Sequence, residues 1–338
     1  MTEKFPATPR HGGDLSVAND RFGEPVEGWL DLSTGINPCP YSDTNVLPQT
    51  LARLPSSEAL EGLLAAARIT YSIPSEAGLC AAPGTQAILQ ALPNLVGRHD
   101  VAVISPAYGE HAHVWRQAGF SVSEVNSFDQ VRSAGIVVVV NPNNPDGRLT
   151  KPGRLEDLQA DLAAKGGLLV VDEAFADVVP DISVASATAQ KGLLMLRSFG
   201  KFFGLAGIRL GFAAGHEDLI RALVARLGPW AVSAPSIEIG TRALADLAWA
   251  MATRAALAQL RERLDRILSA YGFQLVGGTD LYRLVLCAES GTYFERLARA
   301  GILVRAFPDH PDWLRFGLPG SDSDFERLDK ALDEIAMR

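Results

Sequence analysis

The sequence predicts an α/β fold, in which helices cover both faces of a doubly wound, mostly parallel sheet. Four apolar runs of strand length lack the polar alternation of a half-exposed strand, and they lie at 101–104, 135–140, 168–171 and 193–196. Such runs are typical of strands buried on both faces. Helical periodicity fills the stretches at 85–97, 109–119 and 153–165. This alternation of strands and helices is the βαβ pattern of a doubly wound domain.

Before this region, proline and glycine breakers are frequent. Residues 1–45 are therefore predicted to be an irregular N-terminal arm that joins a small domain, on breakers that include Pro6, Pro9, Gly12, Gly13, Gly35, Pro38 and Pro40. The large domain is then expected to span residues 46–235.

After this region the chain becomes rich in helix. Residues 236–270 are an Ala/Leu/Arg segment with few breakers, which predicts one long helix linking two domains. The tail at 280–338 predicts strand, helix, strand and helix, so residues 236–338 are expected to form the linking helix and a small α+β domain. Ser323 and Glu326 fit a capping box at the start of the last helix.

Composition and charge exclude several classes of protein. The 338 residues correspond to about two domains, and 31 basic against 39 acidic residues give a formal charge of −8. Because no run is rich in Lys or Arg, nucleic-acid binding is not expected. No apolar stretch approaches the roughly 20 residues that span a bilayer, and MTEKFPATPRHGG lacks the apolar core of a signal peptide. We therefore expect a soluble cytoplasmic protein. Three widely spaced cysteines indicate neither a disulfide framework nor a metal site.

Polar and aromatic side chains follow the predicted strands at the edge where ligands bind in open α/β sheets. They are Tyr108, Asn144 in NPNNPDG, Asp172 in DEAF, and Ser198, Lys201 and Arg209 in RSFGKFFGLAGIR. Taken singly, each has a simpler interpretation as a helix cap, a turn or a solvated lysine. The chain lacks GxGxxG, and Phe202 follows Gly200-Lys201 where a Walker A motif needs Ser or Thr. The order and the strand-end placement together favour one shared site.

This combination resembles the class I/II aminotransferases, the fold-type I enzymes that depend on pyridoxal 5'-phosphate. The segment S-x-x-K-x-x-G-x-x-G-x-R at 198–209 is the most specific part of the likeness. The resemblance implies that Lys201 binds the cofactor covalently and later moves a proton at the substrate α-carbon. It also implies that Asp172 faces the pyridine nitrogen, that Asn144 bonds the ring O3′ and that Tyr108 stacks on the ring.

The resemblance places the cofactor phosphate on three further groups. Gly84, Thr85 and Gln86 open a helix whose backbone amides suit a dianion. Ser198 and Arg209 complete this cup. Two positions depart from the pattern. Phe175 stands where many aminotransferases have a tyrosine that donates to O3′, and Gly200 stands before the lysine, where Ser or Thr often adds a phosphate contact.

A finer resemblance is to the threonine-phosphate decarboxylases of cobalamin biosynthesis, which are close to histidinol-phosphate aminotransferases. It rests on HGGDL at 11–15, WLDLSTGINP at 29–38 and GPWAVS at 228–233, and Phe175 fits the decarboxylases better. The implied reaction removes CO2 from L-threonine O-3-phosphate and gives (R)-1-amino-2-propanol O-2-phosphate. The alternatives are a histidinol-phosphate-like or aromatic aminotransferase, and a non-catalytic protein that binds the cofactor or serves as a scaffold.

The resemblance also suggests substrate-binding residues. Arg315 matches the arginine that grips the substrate carboxylate. Arg305 and His11 are candidates for the substrate phosphate, and Asn37 and Asn144 are expected to line the site.

The resemblance further implies a homodimer with its active site at the interface. Leu54-Pro55 occupies the place of the tyrosine that reaches the neighbouring subunit's cofactor phosphate, so either another residue makes that contact or the contact is absent. His111 and His113 are expected on a helix, with a metal pair as the alternative, and Cys80 is expected in the core.

Overall fold

The four apolar runs predicted as buried strands are strands in the structure, a computed structural model that describes residues 11–97, 99–131 and 133–337. The described strands are β1 (Leu30–Asp31), β2 (Gly78–Ala82), β3 (Val101–Ile104), β4 (Val122–Val125), β5 (Ile136–Val140), β6 (Leu168–Asp172), β7 (Leu193–Ser198), β8 (Gly211–Gly215), β9 (Gln274–Thr279), β10 (Tyr282–Leu286), β11 (Ile302–Leu303), β12 (Arg305–Phe307) and β13 (His310–Gly317).

Helices connect most of these strands. They are α1 (Leu15–Phe22), α2 (Pro48–Ala52), α3 (Ser57–Thr70), α4 (Thr85–Ala91), α5 (Glu110–Gln117), α6 (Pro152–Ala163), α7 (Phe199–Phe202), α8 (Glu217–Leu227), α9 (Ala234–Ala245), α10 (Leu247–Ala270), α11 (Ser290–Arg299) and α12 (Asp322–Ala336). Short 3₁₀ turns lie between several of them.

The chain divides into two compact units. The first consists of Tyr41–Asn144 and Arg148–Ala248, and the second of residues 11–40, Pro145–Gly147 and 249–337. Residues 1–10 of the predicted N-terminal arm lie outside the described residues. The boundaries that the sequence suggests after residues 45 and 235 stay predictions.

A seven-stranded sheet forms the centre of the first unit, in the order β2-β8-β7-β6-β5-β3-β4. Strand β8 runs antiparallel to both of its neighbours, and the other pairs are parallel. Every residue of β3, β5 and β6 is buried, including side chains on both faces of the sheet. The predicted α/β architecture with a mostly parallel, doubly covered sheet is therefore confirmed.

The second unit is a smaller α+β structure. Its antiparallel sheet has the order β12-β13-β10-β9, and helix α11 packs on β13 and against α12. A separate parallel pair joins β1 to β11. The core of this unit contains Leu284, Leu314, Phe316 and Phe325, each at most 1% exposed.

Three local predictions are wrong. Residues 236–270 are two helices, because Asp246 has φ −86° and ψ 74° and ends α9 before α10 begins. The last helix is capped by Ser321, whose Oγ accepts from the Asp324 N–H, so it begins earlier than the proposed capping box. The described part of the N-terminal arm contains α1, which is capped by the Asp14 carboxylate.

Among residues 11–97, 99–131 and 133–337, the structure shows no helix with the length and apolar character needed to cross a membrane.

Candidate active site

The topology of the first unit brings the predicted cofactor residues to one edge of its sheet. Because β3, β5, β6 and β7 are parallel, their carboxyl ends meet there. Tyr108 follows β3, Asn144 follows β5, and Asp172 and Ser198 are the last residues of β6 and β7. Strand β8 runs the other way, so its beginning, just after Arg209, reaches the same edge. The chain thus places chemistry from five strands at the position where open α/β sheets bind ligands.

Asp172 is the buried carboxylate at the end of β6. It is 4% exposed, its Oδ1 accepts from the Ala174 N–H at 3.0 Å, and its Oδ2 lies 2.8 Å from Nε2 of His111. These two bonds fix the plane of the carboxylate, and each oxygen keeps a further lone pair for a ligand.

His111 is a functional neighbour that the sequence reasoning missed. The expected helix is confirmed, since His111 lies on α5, but its bond to Asp172 was not anticipated. The imidazole is fully buried, and its ring meets the Tyr108 ring edge to face at 5.9 Å. The signal was the three-residue spacing from Tyr108, because the turn that leads into α5, in which the His111 N–H donates to the Tyr108 carbonyl at 3.1 Å, brings the two rings together.

Tyr108 is half-buried at this edge. Burial raises the pKa of its phenol to about 12, the Glu110 and Asp172 carboxylates add to the increase, and the Arg209 guanidinium opposes it. The phenol is therefore neutral at physiological pH. The same interactions show that Tyr108 lies within electrostatic reach of both Asp172 and Arg209.

Lys201 is the third residue of the short helix α7. Its Nζ lies 5.7 Å from the centre of the Phe175 ring, which is 3% exposed. The phenylalanine that replaces the usual tyrosine is therefore an apolar neighbour of the amine.

The glycine before the lysine has a structural reason. A Cβ on Gly200 would lie 2.7 Å from Cα of Ala206, so Ser or Thr does not fit without a backbone shift. This explains the departure from the family pattern at that position.

The tight turn before α4 lies directly against the Arg209 side chain. Gly84 has φ +81°, and a Cβ there would lie 2.5 Å from Nη2 of Arg209. A Cβ on Gly211 would lie 2.6 Å from the Thr85 nitrogen. Arg209 itself has φ 53°, a left-handed conformation that is uncommon for a non-glycine residue. The guanidinium and the first amides of α4 therefore lie together, which is the donor set that a phosphate requires.

A buried ion cluster supports the ends of β6 and β7. Glu173, directly after Asp172, is 3.0 Å from Nη2 of Arg197, directly before Ser198. Asp177 lies 3.7 Å from the same guanidinium.

Burial disfavours both charges of this pair, but the opposite charges outweigh it only at Arg197. Burial raises the pKa of the Glu173 carboxyl although Arg197 opposes the shift. Burial lowers the pKa of Arg197, but Glu173 and Asp177 outweigh it and the pKa is raised.

The second unit holds the predicted substrate residues other than Asn144. Arg315 on β13 is 7% exposed, donates from Nη2 to the Ser33 carbonyl at 2.8 Å and lies 5.0 Å above the Tyr282 ring. Arg305 on β12 is its direct cross-strand partner. Burial lowers the pKa of Arg315 to about 10, Tyr282 opposes the shift, and Arg305 contributes to it. Two cations opposite each other are unfavourable by themselves, so this surface favours an anion.

His11 and Arg305 line one cavity of about 690 Å³ within the second unit. The Arg305 guanidinium lies 5.6 Å from the Phe307 ring centre in the same region. Asn37 is 2% exposed, and its Oδ1 accepts from the Cys39 N–H at 2.8 Å. The roles that the resemblance suggests for these residues stay predictions.

Comparison with known proteins gives the family. Residues 49–335 match the family described as aminotransferase class I and II. The chain belongs to that family. The predicted resemblance is therefore confirmed, and so is the fold-type I architecture that the family implies.

Within the aminotransferase class I and II family, two curated relatives are similar along nearly their whole length. The threonine-phosphate decarboxylase of Pseudomonas aeruginosa is 43% identical over 95% of this chain and 96% of its own. The threonine-phosphate decarboxylase of a Sinorhizobium species is 43% identical over 97% of this chain and 98% of its own.

A solved structure shows the same fold. The histidinol-phosphate aminotransferase of Sinorhizobium meliloti, determined in complex with pyridoxal-5'-phosphate, superposes with a TM-score of 0.83. The match covers 100% of this chain and 98% of that chain at 19% sequence identity.

Proposed function

We propose that this chain is a pyridoxal-phosphate-dependent carboxy-lyase that acts in cobalamin biosynthesis. It converts L-threonine O-3-phosphate to (R)-1-amino-2-propanol O-2-phosphate and CO2. The observation that carries the proposal is the 43% identity to two threonine-phosphate decarboxylases over at least 95% of the chain.

The first unit has the groups that the cofactor needs. Lys201 would bind it covalently, Asp172 would face the pyridine nitrogen, Asn144 would bond O3′ and Tyr108 would stack on the ring. The phosphate would be held by the backbone at Gly84, Thr85 and Gln86 together with Ser198 and Arg209. The contact between Gly84 and Arg209 and the fixed plane of the Asp172 carboxylate support this assignment.

When bound, pyridoxal phosphate supplies an electron sink for the pair left at the substrate α-carbon. Lys201 would deliver one proton to the α-carbon as the bond to the carboxylate breaks and CO2 leaves. Asp172 would hold a proton at the pyridine nitrogen, and His111 holds the Asp172 carboxylate in place. The residues that bind the substrate's carboxylate and phosphate would set its orientation, and that orientation would decide which bond at the α-carbon breaks.

The substrate carries two anionic groups, a carboxylate and a phosphate. In the second unit, Arg315 would bind the carboxylate, and Arg305 with His11 would bind the phosphate. The cross-strand pairing of the two arginines supports a dianionic ligand, because negative charge near both guanidinium groups relieves the repulsion between them. Asn37 and Asn144 are proposed as further substrate-binding residues.

The decisive assay compares two products. Incubation with threonine phosphate should release CO2 without a keto-acid acceptor. If keto acid forms only when 2-oxoglutarate is present and no CO2 appears, the chain is an aminotransferase instead.

A second experiment distinguishes a cofactor-dependent enzyme from a scaffold protein. The purified chain should absorb near 420 nm with bound cofactor, and Lys201→Ala should lose that absorbance. A chain that stays colourless with added pyridoxal phosphate would contradict the proposal and favour a scaffold.

We also propose a homodimer. Exposed apolar side chains in the first unit support it, among them Leu47, Leu51, Leu54 and Trp230, each more than half exposed. Burial of such side chains is a usual reason for association. Sedimentation analysis should give twice the mass of the 36.1 kDa chain, and Leu54→Lys should shift the population toward monomer. The cytoplasmic location stays a prediction.

A further inference from the structure

Glu110 is a buried carboxylate that the proposed reaction does not use. It is the first residue of α5, it is 6% exposed, and it follows Tyr108 by two positions. Its Oε2 accepts a hydrogen bond from Nε2 of Gln86, the second residue of α4, at 2.6 Å. Acidic side chains are seldom buried without a donor, so the bond to Gln86 offsets part of the cost of burial.

This bond joins two segments that carry different parts of the proposed cofactor site. Helix α4 begins beside the Arg209 guanidinium, where the phosphate would lie. Helix α5 begins directly after the turn that holds Tyr108, which would stack on the ring. Hydrogen bonds to a carboxylate are shorter and stronger than neutral ones, so this contact resists relative movement of the two helix starts.

The same bond decides how Gln86 can take part. One N–H of its side-chain amide is committed to Glu110, and its backbone N–H is the group that we assign to the phosphate. The side chain then serves as a brace between the helices.

We propose that Glu110 is a positioning residue of the cofactor site, which acts through Gln86 to fix the phosphate-binding turn relative to Tyr108. This inference rests on the proposed assignment of Gln86 and Tyr108 to the cofactor. The role is one of geometry, since Glu110 itself carries out no chemical step.

Two substitutions separate this role from simple burial. Glu110→Leu removes the acceptor, whereas Glu110→Gln keeps an oxygen that can accept from Gln86. Equilibrium dialysis of the holoenzyme should show the cofactor bound about tenfold more weakly in Glu110→Leu and within about threefold of normal in Glu110→Gln. The induced circular dichroism near 420 nm, which reports ring orientation, should fall in the leucine variant only.

A matched control addresses the loss of an acid from a helix start. Glu58 lies in the first turn of α3, is exposed and is acidic like Glu110. Glu58→Leu should leave the dichroism band and the dissociation constant unchanged.

A double-variant cycle tests whether Glu110 acts through Gln86. Gln86→Leu should reproduce the loss, and the variant with both substitutions should be no worse than either alone. If the two effects multiply, or if Glu110→Leu retains both readouts within twofold, the inference is overturned. If Glu110→Leu does not fold, Gln86→Leu tests the inference by the same two readouts, because it removes the donor of the bond between Gln86 and Glu110.

Failure of the proposed function has different signatures. Failure of the cofactor assignment would leave the unsubstituted chain without the 420 nm absorbance, and failure of the assigned reaction would appear in the CO2 assay with that absorbance intact. Failure of the present inference would appear only in the comparison of the Glu110 and Gln86 variants with the unsubstituted holoenzyme.

Discussion

Replacing Arg315 by alanine should weaken binding of threonine phosphate by about 2–4 kcal/mol, the range for leaving a desolvated ionic group unpaired. The guanidinium is the cation that the proposed reaction assigns to the substrate carboxylate. It is 7% exposed and anchored by the Ser33 carbonyl, so it is already oriented before substrate arrives. Little conformational entropy is then lost on binding, and most of the attraction contributes to affinity.

The magnitude follows from the cost of burying this charge. Burial lowers the pKa of Arg315 to about 10, well below its ordinary value, which corresponds to about 3 kcal/mol of penalty on the charged form. Below pH 10 the group is charged in both the folded and the unfolded chain, so this penalty is constant between pH 5 and 9. A bound carboxylate recovers a similar amount. Arg315 should therefore add no slope to the pH–rate profile in that window.

The assay is CO2 release at varied threonine phosphate. Arg315→Ala should raise KM by about 30- to 1000-fold, while the absorbance near 420 nm is retained. The KM of Arg315→Lys should lie between those of the unsubstituted chain and Arg315→Ala, because an ammonium keeps the charge but loses the bidentate geometry. Arg283, on the neighbouring strand and bonded to Asp265 at 2.7 Å, provides the matched control. Arg283→Ala should change KM by less than about twofold.

Stability should move in the opposite direction to binding. Arg315→Met keeps the buried volume and removes the penalised charge, so its free energy of unfolding should equal or exceed that of the unsubstituted chain. A loss of substrate affinity below about 0.5 kcal/mol in Arg315→Ala would remove the residue from the site and refute this reasoning.

Three further outcomes are expected. His111→Phe, which keeps a buried ring but removes the 2.8 Å bond to Asp172, should lower the free energy of unfolding by about 1–3 kcal/mol in urea titrations, and an unchanged midpoint would contradict this. Glu173→Leu should lower the free energy of unfolding by about 3–5 kcal/mol because it leaves the buried Arg197 guanidinium short of an acceptor. Glu173→Gln also removes the countercharge but keeps an acceptor oxygen, so its loss should be smaller, and equal losses would argue against the pairing. Burial raises the pKa of the Cys80 thiol to about 12, so almost no thiolate forms at pH 8. A thiol reagent should therefore label an exposed cysteine promptly and Cys80 only after unfolding, and mass spectrometry of the labelled chain measures this difference.

The parts of the fold that the sequence predicts well are those with unambiguous hydrophobic runs. Strand β5, Ile136–Val140, contains only β-branched residues and is buried throughout, as expected. Strand β8, Gly211–Gly215, was not anticipated, because glycine and alanine carry little strand preference and the strand is held by pairing with β2 and β7. Helix α1 was missed because it is only eight residues long, lies between Gly13 and Gly23, and is stabilised by the Asp14 cap.

For the site, the residue types were easier to predict than their partners. Strand-end placement brought Asp172 and Lys201 to one edge, which follows from parallel topology alone. The buried bonds from His111 and Glu110 depend on how α5 lies against its neighbours, which linear spacing does not specify. The need for glycine at position 200 likewise arises from the approach of Ala206, a contact made only in three dimensions.

The antiparallel closure of the sheet has a consequence for synthesis of the chain. Strand β2 pairs with β8, residues 78–82 against 211–215, and the turn at Gly84 meets Arg209 just before that pairing. At translation rates of roughly 5–20 residues per second, the ribosome needs several seconds to make the intervening segment. The growing polypeptide therefore contains Gly84 and the start of α4 long before Arg209 exists. A cofactor phosphate held by both, as proposed above, would bind only after the nascent chain has passed this point.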